Sequence, residues 1–357
     1  MFYRQAQTVY EFVQRRLSTW GWLVVNDTGY PALRLASFRF TLEARETLHL
    51  PPYKGSVLRG GFGHVFKRTV CAQPQVKHCD GCLLAETCAY SYLFETRPPP
   101  GSQVLRTHGA VPRPFIIQPP LDRRTEIPAG ELLTFGLVLV GRAAGYLPHF
   151  LVVFRELGEV GLGRPFDKAQ GKGRGKYVLR EVRAVHPLTG PDDGAPVYDG
   201  ETLLGTGLEV TAEEVAAWAE RLPDDRLTVR FLTPARLKHG GQFAREAVDF
   251  HVLVRALLRR LSSLAYFHCG RRWETDYPGW VERAQGVETA ETHLGWVRWE
   301  RYSGRQAHRI EMGGVVGSVT YTGELAPFRP LLALGMLTHV GKGAVFGNGR
   351  YTMNNEQ

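Results

Sequence analysis

The stretch LRLASFRFTLE (33–43), followed after Pro51-Pro52 by YKGSVLRGGFGHVFKR (53–68), reads as a strand that leads into a helix. In the first segment Leu33, Leu35, Ser37, Arg39 and Thr41 alternate with Arg34, Ala36, Phe38, Phe40 and Leu42, and the β-rich composition supports a strand. In the second, Leu58, Phe62, Val65 and Phe66 stand at i, i+4, i+7 and i+8, one face of a helix. Gly60, Gly61 and Gly63 each weaken that helix by on the order of 1 kcal/mol relative to alanine. Close approach of another backbone or of a ligand is the usual compensation. On a helical wheel His64 falls about 120° from the apolar centre, beside Val57 and Arg68 and near Gly60, so it points off the core.

The pattern continues outward from this pair. Residues 113–119 offer a short strand and 131–141 (ELLTFGLVLVG) a strong one; Leu147, Phe150, Leu151, Phe154 and Leu157 have helical spacing; 176–185 alternates again. The order is β-α-β-β-α-β. It then recurs. Thr211-Ala212-Glu213-Glu214 fits a capping box opening a short helix to about Arg221. A strand at 227–232 ends at Pro234, and Phe250, Val254, Leu257, Leu258, Leu261, Leu264 and Ala265 form a helical stripe. Strands at 293–302 and 315–323, a helix near 328–340 and a last strand at about 348–353 complete the second copy. The expected fold is α+β, two tandem ferredoxin-like (RRM-like, βαββαβ) domains. The expected organisation is an N-terminal extension at 1–30 and a first domain at 31–190. That domain carries a cysteine-rich insert at 71–100 and a basic glycine-rich loop at 161–176. A linker with a short helix follows at 191–225, then a second domain at 226–357.

The chain of 357 residues carries a formal charge of +9, which favours a polyanionic partner. No apolar run approaches the roughly 20 residues of a membrane span. Arg4, Glu11, Arg15 and Arg16 interrupt any signal-peptide core at the start, so a cytoplasmic protein without a membrane partner is expected.

Two clusters invite chemistry. Four of the five cysteines form Cys71-x7-Cys79-x2-Cys82-x5-Cys88. Four thiolates suit a closed, structural zinc site, with an iron–sulfur cluster as the second metal reading and reduced thiols or disulfides as the metal-free one. His78 can replace one sulfur. Four protein ligands leave no open position, so such a metal would not be catalytic. The second cluster is Gly341-Lys342-Gly343-Ala344-Val345-Phe346-Gly347-Asn348-Gly349-Arg350. It is not a nucleotide-hydrolase phosphate loop, since Lys342 is followed by Gly343, and it leads from a helix into a strand rather than the reverse. Either its backbone N–H groups reach phosphates, or it is a tight connection that needs positive φ angles.

Lys54-Gly55-Ser56-Val57-Leu58-Arg59-Gly60, Arg230-Phe231-Leu232-Thr233-Pro234 and the stretch from Gly341 to Tyr351 together resemble the RAMP superfamily of CRISPR-associated proteins. Within it the chain is similar to the endoribonucleases that process precursor CRISPR RNA, over nearly its whole length after about residue 30. The resemblance implies metal-independent cleavage of CRISPR repeat RNA, in which the ribose 2′-hydroxyl attacks the adjacent phosphate to leave a 2′,3′-cyclic phosphate and a 5′-hydroxyl. Such chemistry needs a base, an acid and cations for the phosphate charge. Family enzymes commonly use a histidine in or near the first helix, sometimes with tyrosine and lysine. That implies His64 as general acid or base, Arg68 or Lys54 holding phosphate, Tyr53 in support, and His49 as the next histidine. The RNA contacts implied are Arg59, Arg68, Arg271, Arg272, Arg305, Gly341, Lys342, Gly343, Gly347, Gly349 and Arg350. Subunits of a CRISPR effector complex are possible partners. The second reading is a non-catalytic RNA-binding subunit of such a complex; the tandem units and the glycine loop favour the enzyme.

Overall fold

The computed structural model describes residues 24–26, 29–73, 79, 81–98, 111–163, 173–189, 194–303 and 308–354. The first unit runs β1 (Arg34–Ala44), α1 (Gly55–Val70), α2 (Ala89–Phe94), β2 (Phe115–Gln118), β3 (Leu132–Val140), α3 (Leu147–Val160), β4 (Tyr177–Ala184) and β5 (Ala195–Tyr198). Its strands pair antiparallel in the order β2-β3-β1-β4-β5. The linker then returns as β6 (Glu209–Thr211), which pairs with β1 at Arg34–Ala36. It continues into α4 (Ala212–Ala219), closed at its start by the expected capping box between Thr211 and Glu214.

The second unit follows as β7 (Arg226–Ala235), a short hairpin β8 (Lys238–His239) and β9 (Gln242–Phe243), α5 (Phe250–Cys269), β10 (Arg271–Trp273), α6 (Tyr277–Gln285), β11 (Glu288–Val297), a second hairpin β12 (Glu300–Ser303) and β13 (His308–Glu311), β14 (Gly314–Thr322), α7 (Arg329–Thr338) and β15 (Tyr351–Asn354). Its sheet order is β11-β14-β7-β15, so both units share the 2-3-1-4 order of a ferredoxin-like sheet. Three elements depart from the expected pattern. The strand expected over 293–302 begins at Glu288 and ends at Val297, and 300–303 turns away into the second hairpin. The last strand starts at Tyr351, because Asn348 is still in the glycine loop. The unforeseen α6 is capped by Asp276, whose side chain accepts the Gly279 N–H.

Period-two alternation sorts β1 between two cores. Ala36, Phe38, Phe40 and Leu42 face α1 and α3 in one cluster centred on Phe62. The Phe62 ring lies 4.5 Å from that of Phe150 and 5.2 Å from Phe66 and Phe154. Full burial of each such ring contributes about 1.5–3 kcal/mol. Leu33 and Leu35, with Ile116, Val138 and Val140, face the opposite way into one continuous core with Leu253, Leu257, Leu261 and Leu264 of the second unit. The units therefore share apolar packing rather than hanging from a linker. Among the described residues no helix is long and apolar enough to cross a membrane.

Candidate active site and nucleic-acid interface

The glycines of α1 separate into two kinds. A Cβ on Gly55 would lie within bonding range of the Phe346 carbonyl, one on Gly61 would stand 3.0 Å from Leu157 Cδ2, and one on Gly63 2.5 Å from Phe94 Cε1. Those three are required by packing. Among the described residues a Cβ on Gly60 would meet nothing within 4 Å. Gly60 and His64 are both exposed, one turn apart. They line a cleft of about 340 Å³ with Ser56, Val57, Gly61, Gly161, Leu162, Gly163 and Arg174. So His64 stands at an open cleft with a guanidinium on its rim. An unconstrained helical glycine beside it leaves room for a polymer backbone.

The far wall of the cleft is the neck of the basic loop. Leu162 and Gly175 form a bridge across it, and Gly161 and Gly163 adopt φ 86° and 96°. A Cβ on Gly163 would meet the His49 carbonyl, so His49, on the two-residue strand Leu48–His49, stands directly behind the cleft wall. The loop's remaining residues, 164–172, lie outside the described residues, as do Arg305, His78 and most of the N-terminal extension. Arg174 has no helical or strand periodicity to mark it; only the density of cations in that loop points to it.

Tyr53 and Lys54 face elsewhere. The Tyr53 hydroxyl donates to the Phe346 carbonyl at 3.0 Å and its ring packs 4.6 Å from Trp299, with burial raising its pKa well above the ordinary phenol value. Lys54, expected to support catalysis or hold phosphate, is wholly buried, donating to the Asp122 carbonyl at 2.9 Å and to Asp122 Oδ1 at 3.1 Å. Both side chains fix the entry into α1. Arg68 is exposed in the last turn of α1, where a cation also suits the helix dipole. Arg271 and Arg272 are exposed on β10, which pairs in parallel with Val24–Asn26, and Arg272 is tied to Glu274 at 3.2 Å. Neither lines the cleft at His64.

The glycine loop is a joint. Gly341, Gly343, Gly347 and Gly349 have φ between 70° and 86°. A Cβ on Gly347 would lie 2.3 Å from Pro119 Cδ and 2.8 Å from the Ile117 carbonyl, both in the first unit. The His339 ring bridges Gln118 Nε2 at 3.1 Å and the Asn348 carbonyl at 3.2 Å, and Thr233 donates to the Gly347 carbonyl at 2.7 Å. Gly347 and Gly349 are buried, so packing and positive φ account for them, and they present no N–H surface to a phosphate. Arg350 is half-buried beside Tyr53.

Lys342 is the loop's exposed cation, and it joins a patch that the periodicity did not reveal. Arg236, Lys238 and Lys342 stand 4.5, 5.8 and 5.8 Å from the centre of the Phe243 ring, and Arg245 lies 4.7 Å over Trp296. Burial, then the neighbouring Lys238, Arg236 and Arg259, push the Lys342 ammonium below its usual range. Cations interleaved with aromatic faces suit a nucleic-acid strand.

Among the cysteines, Cys71 follows α1 and Cys88 precedes α2. Burial, then Glu95, Cys88 and Cys71, raise the Cys79 thiol, whereas Cys82 Sγ turns to Gln73 Oε1 at 3.9 Å. All are unbridged, and among the described residues no three Cys, His, Asp or Glu side chains stand close enough to hold a metal. The closed tetrahedral arrangement that the spacing suggested is therefore not formed by these side chains as placed.

Comparison with known proteins adds five findings. A family model described as an N-terminal domain matches residues 33–214, and the model of the CRISPR-associated endoribonuclease Cas6 matches 229–351. An uncharacterized protein of Archaeoglobus fulgidus is 27% identical over 308 residues, 84% of this chain and 91% of the relative. A solved Thermus thermophilus Cas6 superposes with a TM-score of 0.50 at 16% identity, covering 90% of this chain and 99% of that one. A chain of a partial Cas6-RT-Cas1–Cas2 complex gives 0.55 at 15% identity, over 92% of this chain; this chain spans about half (46%) of its length. At these identities the solved structures speak for the fold.

Proposed function

We propose that this chain is a CRISPR-associated RAMP protein of the Cas6 endoribonuclease type, a reading supported by the match of residues 229–351 to that family's model, and that it cuts CRISPR repeat RNA in the cleft beside α1, with His64 as general acid or base. The observation that carries the reading is the pairing of an exposed histidine with an unconstrained helical glycine and an arginine in one cleft. Histidine suits proton transfer near neutral pH. The RNA backbone lies across Gly60 and its scissile phosphate is neutralised by Arg174. The 2′-hydroxyl attacks that phosphate, and the products carry a 2′,3′-cyclic phosphate and a 5′-hydroxyl. Side chains supply the proton transfers and the positive charge, so the chemistry requires no metal. His49, behind the cleft wall, positions Gly163. The cationic-aromatic patch around Phe243 holds RNA away from the cut, and the partners of the cut RNA are the subunits of a CRISPR effector complex.

The test is incubation of the purified chain with end-labelled repeat RNA in EDTA, with His64→Ala beside it. The expected result is a single cut giving a cyclic phosphate, slowed at least about 100-fold in the variant while RNA affinity holds. Tight binding without cutting by the wild-type chain would make it the non-catalytic subunit. The four cysteine thiols have the donor chemistry of structural zinc; one zinc per chain on elemental analysis would establish a closed site, and its absence free thiols.

A further inference from the structure

Three arginines meet at the joint between the units, on the side of α1 away from the cleft. Arg59 lies between two rings, 4.6 Å from the centre of Phe94 and 5.0 Å from that of Phe346. Arg301, from β12 of the second unit, lies 4.8 Å over the same Phe346 ring. Arg113 donates from Nε to the Phe94 carbonyl at 2.9 Å. Arg59 has Arg113, Arg301 and Glu95 as electrostatic neighbours, and Arg301 has Arg113.

Gathering like charges costs free energy, and so does burying a donor without an acceptor. Here Arg59 Nε and Arg301 Nε are both buried with no hydrogen-bond partner among the described residues. The aromatic faces offset part of this through cation–π attraction. They supply no oxygen for the guanidinium forks. A tetrahedral oxyanion does, and it also cancels the crowded charge.

We propose that Arg59, Arg113 and Arg301 form an oxyanion pocket at the joint, filled by a backbone phosphate of the bound RNA other than the one cut. The proposal rests on the RNA-cleaving reading above. Arg59 precedes His64 by five residues, about 7.5 Å along α1 and about 140° around it, so one phosphate does not serve both. Because Arg301 comes from the second unit, filling the pocket ties RNA binding to the docking of that unit on α1. The RNA strand thus crosses the joint, with the cut on one side of α1 and an anchoring phosphate on the other.

The experiment measures affinity of the full chain for repeat RNA carrying a 2′-deoxy scissile nucleotide, between 50 and 500 mM KCl. Arg301→Gln is compared with Arg309→Gln, which removes the same charge from the paired strand of the same hairpin. Arg309 is an exposed residue 3.6 Å from Glu300. One lost phosphate contact lowers the slope of log affinity against log salt by about 0.7 for a single strand. Over this tenfold salt range the wild type should lose about five times more affinity than Arg301→Gln. Arg309→Gln should keep the wild-type slope. Arg301→Lys, which keeps the charge but not the fork, should retain the slope with weaker binding, and its thermal melt reports whether the hairpin still folds. An Arg301→Gln slope equal to wild type, with RNA still bound, overturns the pocket alone, and is the result expected if an acidic protein segment occupies it. A wild-type chain that binds no RNA overturns the functional reading and the pocket with it.

Discussion

Replacing Gly60 with alanine should make the protein more stable and less active. The helix interior gains about 0.8–1 kcal/mol from the exchange, and among the described residues the new methyl meets nothing within 4 Å. With about 2.1 cal/mol/K of unfolding entropy per residue, a cooperative unit of this size shifts its melting point by about 1–2 °C. A midpoint shift in urea is the cleaner readout. The same methyl occupies the wall of the cleft beside His64. If RNA backbone lies there, kcat/KM should fall more than about tenfold, equivalent to roughly 1.4 kcal/mol of transition-state stabilisation. Gly61→Ala and Gly63→Ala are the controls. Their methyls would press on Leu157 at 3.0 Å and on Phe94 at 2.5 Å, so both should lose stability. A Gly60→Ala protein that is stabilised and cuts at the wild-type rate would refute the idea that RNA passes over this part of α1.

Three further outcomes follow from the joint. Tyr53→Phe should lose about 1 kcal/mol with the hydroxyl's bond to Phe346, while single-turnover cleavage stays within about threefold; abolished chemistry in a folded variant would return Tyr53 to the mechanism. Gly347→Ala should cost about 2–4 kcal/mol, because φ is 86° and Pro119 and Ile117 stand in the way, and an unchanged urea midpoint would contradict the described docking. Burial holds both His268 and His339 down to about 3, so each stays neutral in the folded chain and protonates near pH 6.5 in the unfolded one. Their contribution is therefore complete above pH 6.5 and declines by up to about 1.4 kcal/mol per histidine per unit as pH falls toward 3. His339→Gln should flatten the fall in urea midpoint between pH 7 and 5, and an unaltered pH profile would show that His339 is not buried neutral.

The repeated βαββαβ order was legible because Phe62, Phe150, Leu257 and their neighbours keep strict helical spacing between strands of clear alternation. His64 was also legible, since its direction on the wheel follows from the same spacing. The role of the glycine loop was not. The atoms that exclude a side chain at Gly347 belong to Ile117 and Pro119, more than two hundred residues earlier, and no local pattern reports such a meeting. Lys54 shows the same limit from the other side: its sequence neighbours say nothing of Asp122, whose carboxylate and carbonyl hold it under the surface. The hairpin at 300–311 continues the β-rich run of Trp296 and Val297, so a break in the strand could not be placed from composition, and Arg301 went unmarked with it.

The face of the first sheet that carries Leu33, Leu35, Ile116, Val138 and Val140 has a timetable attached. It is covered by Leu253, Leu257, Leu261 and Leu264, made more than a hundred residues after the last of those strand positions. On the ribosome the first unit therefore completes its phenylalanine core around Phe62 while a second apolar face stays wet. A nascent chain in that state is a substrate for chaperones and for self-association. Slowing translation between residues 140 and 250 should lengthen that exposure, and with it the share of the protein lost before it can ever meet RNA.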